Sequence, residues 1–343
     1  MTAPGATILG CSGTVLTAGE RAFFRDADPL GFILFARNIE NRAQARRLVD
    51  ELRASVARAD APVLIDQEGG RVARLRGAPW RAAPPGRVLG ELYARDPGRG
   101  LEAARLNSRL LAADVASIGC DVDCLPVLDL ARPETHAVIG DRAYAAEPEA
   151  VAAIGRAAAE GLMDLGVMPV IKHIPGHGRA TVDSHDALPR VAASWDELGR
   201  TDFSPFRMLA DLPWAMTGHL LFEAIDPDRA ITVSASGIER AIRGDIGFAG
   251  LLLSDDLSMQ ALGGALGDRA GAALAAGCDV ALHCNGRLDE MQAVVARSGR
   301  LSRAAEGRVA AGRATLARHR AGVSPPGAAR DRRRLAELLP EWG

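Results

Sequence analysis

Lysine is almost missing from this chain. Of 41 basic residues, one is lysine, Lys172, and the rest are arginine. Aromatic residues are also scarce, at 4%, and no arginine cluster is interleaved with them; with a net charge of -2, nucleic-acid binding has no electrostatic support. No apolar run approaches the ~20 residues of a membrane span. The first twenty residues, MTAPGATILGCSGTVLTAGE, have neither the basic start nor the apolar run of a signal peptide. The cysteines, Cys11, Cys120, Cys124, Cys278 and Cys284, are odd in number and sit in apolar segments, which predicts reduced, buried thiols and a cytoplasmic protein. Cys120 and Cys124 fall on one face if CDVDC is a strand. No second pair completes a zinc site, so core packing is expected. Phosphate-binding loops of the G-x-x-x-x-G-K-[ST] or G-x-G-x-x-G kind are absent too.

What is present is an ordinary globular composition of 343 residues, 48% of them hydrophobic. Eight apolar runs punctuate the chain: ATILG, GFILFARN, PVLIDQEGG, CDVDCLPVLDL, VMPVIKH, WAMTGHL, GLLLSDDL and VALHC. Amphipathic helical stretches separate most of them. Continuous apolar strands alternating with helices predict a parallel sheet covered on both faces. Eight units over this length predict an α/β fold, a single-domain TIM (β/α)₈ barrel over residues 1–322, with an open doubly wound sheet as the alternative. Residues 323–343 read as a Pro/Gly linker and a short C-terminal helix. Asp66, Asp129, Lys172, His173, His219, Asp255 and Asn285 all stand at the C-terminal ends of predicted strands, where a barrel gathers its chemistry.

Ile171–Pro189, IKHIPGHGRATVDSHDALP, holds the lone lysine and three of seven histidines, His173, His177 and His185. Three readings compete: a polar turn, a metal site, or a loop supplying substrate contacts and a proton carrier. Pro175 and Gly176 break the helix that would put His173 and His177 on one face, and H-E-x-x-H is absent. Asp183 lies two residues from His185, close enough for a carboxylate to orient an imidazole and raise its basicity. In GLLLSDDLSMQAL a buried run ends in two carboxylates. One is expected to enter the barrel mouth as a nucleophile toward an acetal carbon, while the other caps a helix over LSMQAL. Asp66 and the arginines Arg71, Arg74 and Arg142 supply the carboxylate and charged donors that sugar hydroxyls require. Arg71 and Arg74 also suit structural ion pairs.

Taken together, GFILFARNI, PVLIDQEGGRVARLRG, LPVLDL, VIGDRAYA, VIKHIPGHGRATVDSHDALP, AMTGHLLFEAID and GLLLSDDLSMQAL resemble the β-N-acetylhexosaminidases of glycoside hydrolase family 3, the bacterial single-domain kind that recycles cell-wall fragments. They occur in the same order across roughly residues 5–320. The resemblance implies a cofactor-free barrel and a retaining double displacement on a muropeptide-like carbohydrate, with no metal. It implies Asp255 as nucleophile, His185 as acid/base and Asp183 as its partner. It assigns sugar binding to Asp66, Arg74, Arg142, Lys172 and His173. His177, in the glycine turn that carries the loop, is read as shaping it. Ala143 and Tyr144 stand where the family often has Ser and Phe. Some relatives pass the sugar to phosphate instead of water, so a glycoside phosphorylase is the alternative. A metal-dependent hydrolase and a non-catalytic sugar-binding barrel are the rivals, and a monomer is the expected state.

Overall fold

A computed structural model describes residues 3–133, 135–184, 186–323 and 327–342. Eight parallel strands close into a barrel: β1 (Gly5–Leu9), β2 (Pro29–Leu34), β3 (Val63–Ile65), β4 (Val122–Asp123), β5 (Met168–Ile174), β7 (Trp214–Thr217), β9 (Leu251–Asp256) and β10 (Val280–His283). They are hydrogen-bonded in the order β1-β10-β9-β7-β5-β4-β3-β2. Each overlaps one of the eight apolar runs. The two remaining strands, β6 (Arg190–Val191) and β8 (Leu221–Phe222), form a small parallel ladder on the rim that the sequence pattern did not reveal.

Strand alternation sorts the side chains into two cores. Ile8, Leu64, Val122, Val170, Met216, Leu253 and Leu282 fill the barrel interior. Leu9, Ile65, Ile171, Ala215, Leu252 and Ala281 face the helices. The expectation for Cys120 and Cys124 is half right. Both are buried, but Cys124 is inside the barrel and Cys120 in the helix layer, because β4 is too short to carry one alternation through both.

The helices begin where their caps direct. Thr17 forms a capping box with Glu20 ahead of Ala18–Ala27, Asn41 caps Arg42–Ser55, and Asp96 followed by Pro97 starts Pro97–Ser117. At the chain's end the helix Ala328–Leu338 packs on Pro97–Ser117, tied by Asp331 to Arg109 at 3.0 Å. Part of the expected linker, residues 324–326, lies outside the described set. No helix among the described residues is long and apolar enough to cross a membrane.

Candidate active site

The same alternation builds the barrel mouth. On β9, Leu251 and Leu253 point inward, so Asp255 is the next inward side chain. On β5, Met168 and Val170 point inward, so Lys172 follows. On β3, Leu64 points inward, so Asp66 follows. A register shift against β7 between Lys172 and Ile174 lets His173 line the pocket beside Lys172. The resulting cavity has about 260 Å³ and is also lined by Phe35, Glu68, Arg71, Arg74, Val138, Arg142, Asp256 and Met259.

One wall is a network of charges. Lys172 Nζ donates to Asp66 Oδ1 at 2.8 Å and contacts Glu68 Oε1 at 2.6 Å. Arg142 grips Glu68 with two bonds of 2.8 Å, and Arg74 reaches Asp66 Oδ2 at 2.9 Å. Burial pushes the Asp66 carboxyl up, but Lys172 and Arg74 outweigh it and hold the group well below the usual range. Glu68 has the same balance against Arg142 and Lys172 and is brought down to about 2. Burial disfavours the Lys172 ammonium, yet Asp66 and Glu68 raise its pKa above the ordinary lysine value. Arg71 pairs with Asp141 at 3.0 Å. The ion-pair readings of Arg71 and Arg74 therefore hold, while both residues still line the pocket.

The lone lysine has a geometric reason. At 2% exposure its ammonium sits between two carboxylates, which takes two of its three donors and leaves one for the pocket. A guanidinium is planar and larger, and does not fit that point contact.

The rest of the site is made of imidazoles and the tandem aspartates. Asp129, named above only for its position, is the organiser. Its Oδ2 accepts His173 Nδ1–H at 2.7 Å, and its Oδ1 accepts the backbone N–H groups of His173 and His177 at 3.2 and 2.7 Å. Arg142 donates to His173 Nε2 at 3.4 Å, which fixes the tautomer. His219 Nε2–H donates to the Asp256 carbonyl at 3.0 Å, while its Nδ1 meets Thr232 Oγ1 at 2.8 Å. Thr232 continues to Thr217, whose Oγ1 accepts the Asp255 N–H at 3.4 Å. Burial raises the Asp255 carboxyl, but His173, His219, the Asp256 N–H and Lys172 more than offset this and keep it below the usual range. Asp255 is thus held as a carboxylate.

Asp256 departs from expectation. LSMQAL forms turns, not a helix. The Asp256 carboxylate instead accepts Ser258 N–H at 3.1 Å, Ser258 Oγ–H at 2.6 Å and the Cys284 N–H at 3.2 Å. It ties the turn after β9 to the end of β10.

The structure brings together Asp66, Arg74, Arg142, Lys172, His173 and Asp255 in one pocket. Asp183 is half-buried, and its carbonyl accepts the N–H groups of Asp186 and Ala187. His185 lies outside the described residues, so its pairing with Asp183 is not described. Glu68 was missed by the sequence reading. The available signal was its i, i+2 relation to Asp66 in DQEGG. For the metal reading, no group of three or more His, Cys, Asp or Glu arranged to hold an ion occurs among the described residues, and both His173 nitrogens are engaged by Asp129 and Arg142.

The closed parallel barrel with a polar pocket at its mouth is the architecture that the family resemblance implies. The family model described as "Glycosyl hydrolase family 3 N terminal domain" matches residues 19–311. The chain belongs to glycosyl hydrolase family 3. It is therefore a glycoside hydrolase. A beta-hexosaminidase of Alkalilimnicola ehrlichii is 41% identical over 285 residues, 82% of this chain and 81% of that relative. One from Pseudomonas aeruginosa is 39% identical over 295 residues, covering 85% and 86%. Among solved structures, NagZ from Neisseria gonorrhoeae in complex with N-trifluoroacetyl-D-glucosamine superposes with a TM-score of 0.86 at 31% identity, covering 98% of both chains. A family 3 β-N-acetylglucosaminidase from Paenibacillus superposes with a TM-score of 0.83 at 29% identity. This chain spans 66% of its length.

Proposed function

We propose that this glycoside hydrolase is a retaining exo-β-N-acetylglucosaminidase that removes terminal N-acetylglucosamine from peptidoglycan-derived fragments. One observation carries the reading: the Asp255 carboxylate lines the same pocket as the Asp66–Lys172–Glu68–Arg142 network. That pairing supplies a nucleophile and a hydroxyl-recognising surface around one site. A cavity of about 260 Å³ is slightly below the roughly 300–1,000 Å³ of ordinary small-molecule sites, which suits one sugar residue. The beta-hexosaminidase relatives, the Paenibacillus β-N-acetylglucosaminidase and the N-trifluoroacetyl-D-glucosamine bound to NagZ support N-acetylglucosamine as the sugar.

In the proposed sequence Asp255 attacks the anomeric carbon while His185, oriented by Asp183, protonates the leaving oxygen. A covalent glycosyl-enzyme forms. His185 then takes a proton from water, which releases the sugar with retained configuration. Asp66, Arg74, Arg142, Lys172 and His173 hold the sugar. A neutral imidazole serves as the base of the second step without adding negative charge beside the intermediate. The phosphorylase reading is disfavoured by the charge inventory, since Arg71, Arg74, Arg142 and Lys172 are each already matched by a carboxylate. A non-catalytic sugar-binding barrel has no use for a carboxylate held ionised at this point.

The test is hydrolysis of an aryl β-N-acetylglucosaminide against the corresponding β-glucoside, with and without phosphate. Turnover of the first alone, unaffected by phosphate, is expected. Formation of a sugar phosphate overturns the hydrolase reading, and binding without turnover overturns both.

A further inference from the structure

His177 is an imidazole of the pocket's neighbourhood to which the proposed mechanism gives no chemical task, yet it is 2% exposed and tightly seated. Its backbone N–H donates to Asp129 Oδ1 at 2.7 Å. Its ring meets the His173 ring edge-on, with centroids 5.6 Å apart. Gly218 clears space for both rings: a Cβ there would stand 3.2 Å from His173 Cβ and 3.3 Å from His177 Cδ2. Burial lowers the His177 pKa to about 4, so the ring is neutral at working pH.

The ring's one hydrogen bond among the described residues joins Nε2 and Ser184 Oγ, at 3.2 Å. Ser184 stands between Asp183 and His185 in the sequence. It is 3% exposed, and its carbonyl accepts the Ala261 N–H at 3.1 Å, from the turn that follows Asp255 and Asp256. The far end of the loop is tied by the β6–β8 ladder. Ser184 is thus gripped from both the root of the loop and the nucleophile's own turn.

We propose that His177 is a positioning residue: through Ser184 Oγ it holds Ser184, the residue that leads from Asp183 into His185, against the turn that follows Asp255 and Asp256, and does not itself exchange protons with substrate. This rests on the reading of His185 as acid/base. A neutral ring suits the task, because its bond to a hydroxyl keeps its strength across the pH range in which His185 must change protonation.

The experiment compares His177→Ala, Ser184→Ala and His185→Ala on aryl β-N-acetylglucosaminides from dinitrophenyl to phenyl. Acid catalysis is worth roughly 10²–10⁴-fold, and matters most for poor leaving groups. His177→Ala is expected to lose about tenfold or more of kcat/KM on the phenyl glycoside and much less on the dinitrophenyl one. Azide should accelerate its turnover of the activated substrate. Inhibition by free N-acetylglucosamine should stay within about threefold of wild type, because the sugar wall is untouched. Ser184→Ala removes only the hydroxyl and should show a smaller version of the same pattern; it carries the test if His177→Ala does not fold. Equal loss on all leaving groups, or weakened inhibition by N-acetylglucosamine with no azide effect, overturns the proposal. A steep leaving-group dependence in His185→Ala with none in the other two overturns this inference alone. A flat His185→Ala overturns the acid/base reading, and the inference with it.

Discussion

The two sides of the pocket are held by different physics. The sugar wall is charge-assisted throughout: Lys172, Arg74 and Arg142 each meet a buried carboxylate at 2.6–2.9 Å, and Asp66 and Glu68 each serve two cations. The histidine loop is held at Ser184 by two neutral hydrogen bonds, one at its hydroxyl and one to its carbonyl. A buried ion network fixes its members because leaving any one unpaired is costly. Neutral bonds cost less to break. The difference suggests a division of labour: a rigid surface for the sugar that departs unchanged, and a lightly held segment for the group that gives up and regains a proton.

The largest expected effect removes what both sides face. Asp255→Ala should lower kcat/KM by more than about 10³-fold, or over about 4 kcal/mol of transition-state stabilisation. Binding of N-acetylglucosamine, measured by calorimetry, should survive because the wall remains. Loss of binding along with turnover would show that Asp255 belongs to the wall.

Next comes the wall's own keystone. Glu68→Gln leaves Arg142 and Lys172 facing an amide, with one less buried anion between them. Breaking such a pair costs about 3–5 kcal/mol, and urea unfolding should register that loss. KM should rise more than kcat falls, since the misplaced groups contact the sugar and not the reacting bond. A stable variant with normal KM would mean that Lys172 and Arg142 are held well enough without it.

Acid separates the two sides. Glu68 is depressed from 4.5 to about 2, so its contribution to stability is complete above about pH 4.5 and lost as pH falls toward 2. His177 is also depressed, from 6.5 to about 4, but it is a base buried neutral. Its contribution is complete above about pH 6.5 and declines as pH falls to 4, where folding must strip a proton that the unfolded chain holds. Acidification should therefore loosen the loop first. The protection factor of the Ala261 N–H, which corrects its exchange rate for the intrinsic pH dependence, should fall between pH 6.5 and 4, while those of the strand amides around Asp66 and Lys172 hold until lower pH. Simultaneous loss would mean that loop and wall form one cooperative unit.

Much of this was legible in the residues. Eight apolar runs became eight barrel strands, and the strand-end residues Asp66, Lys172, His173 and Asp255 line one pocket, joined by Arg74 and Arg142 from the connections beyond the strands. The illegible parts share a cause. Glu68, Asp129 and the Ser184 contact act through partners 74, 44 and 7 residues away, and a single sequence does not announce such pairings. LSMQAL was misread because a capping Asp and a turn-forming Asp look alike until the acceptor's other partner, the Cys284 N–H on a different strand, is known. Cys120 was misassigned because alternation holds only as far as the strand itself extends.

A smaller effect tests the lysine. Lys172→Arg preserves charge but puts a planar fork into a point contact between Asp66 and Glu68. Overpacking a filled site costs typically 1–3 kcal/mol, and about a tenfold or larger drop in kcat/KM should follow. Wild-type kinetics would make the single lysine an accident of an arginine-rich composition.

The smallest effect on catalysis is expected one residue from the nucleophile. Asp256 supports Asp255 with its backbone: its N–H donates to Asp255 Oδ1 at 2.8 Å, and its carbonyl holds His219 at 3.0 Å. Both contacts survive truncation of the side chain. What Asp256→Ala removes is the carboxylate that joins Ser258 to the Cys284 N–H, leaving the latter without its acceptor. A buried donor stripped of its partner costs about 1–3 kcal/mol, so the urea midpoint should fall while kcat/KM stays within about threefold of wild type. The neighbouring aspartates thus separate stability from chemistry within a single dipeptide. An inactive but stably folded Asp256→Ala, set beside an active Asp255→Ala, would reverse the assignment of the pair. In that case strand alternation would have failed to predict which carboxylate faces the sugar.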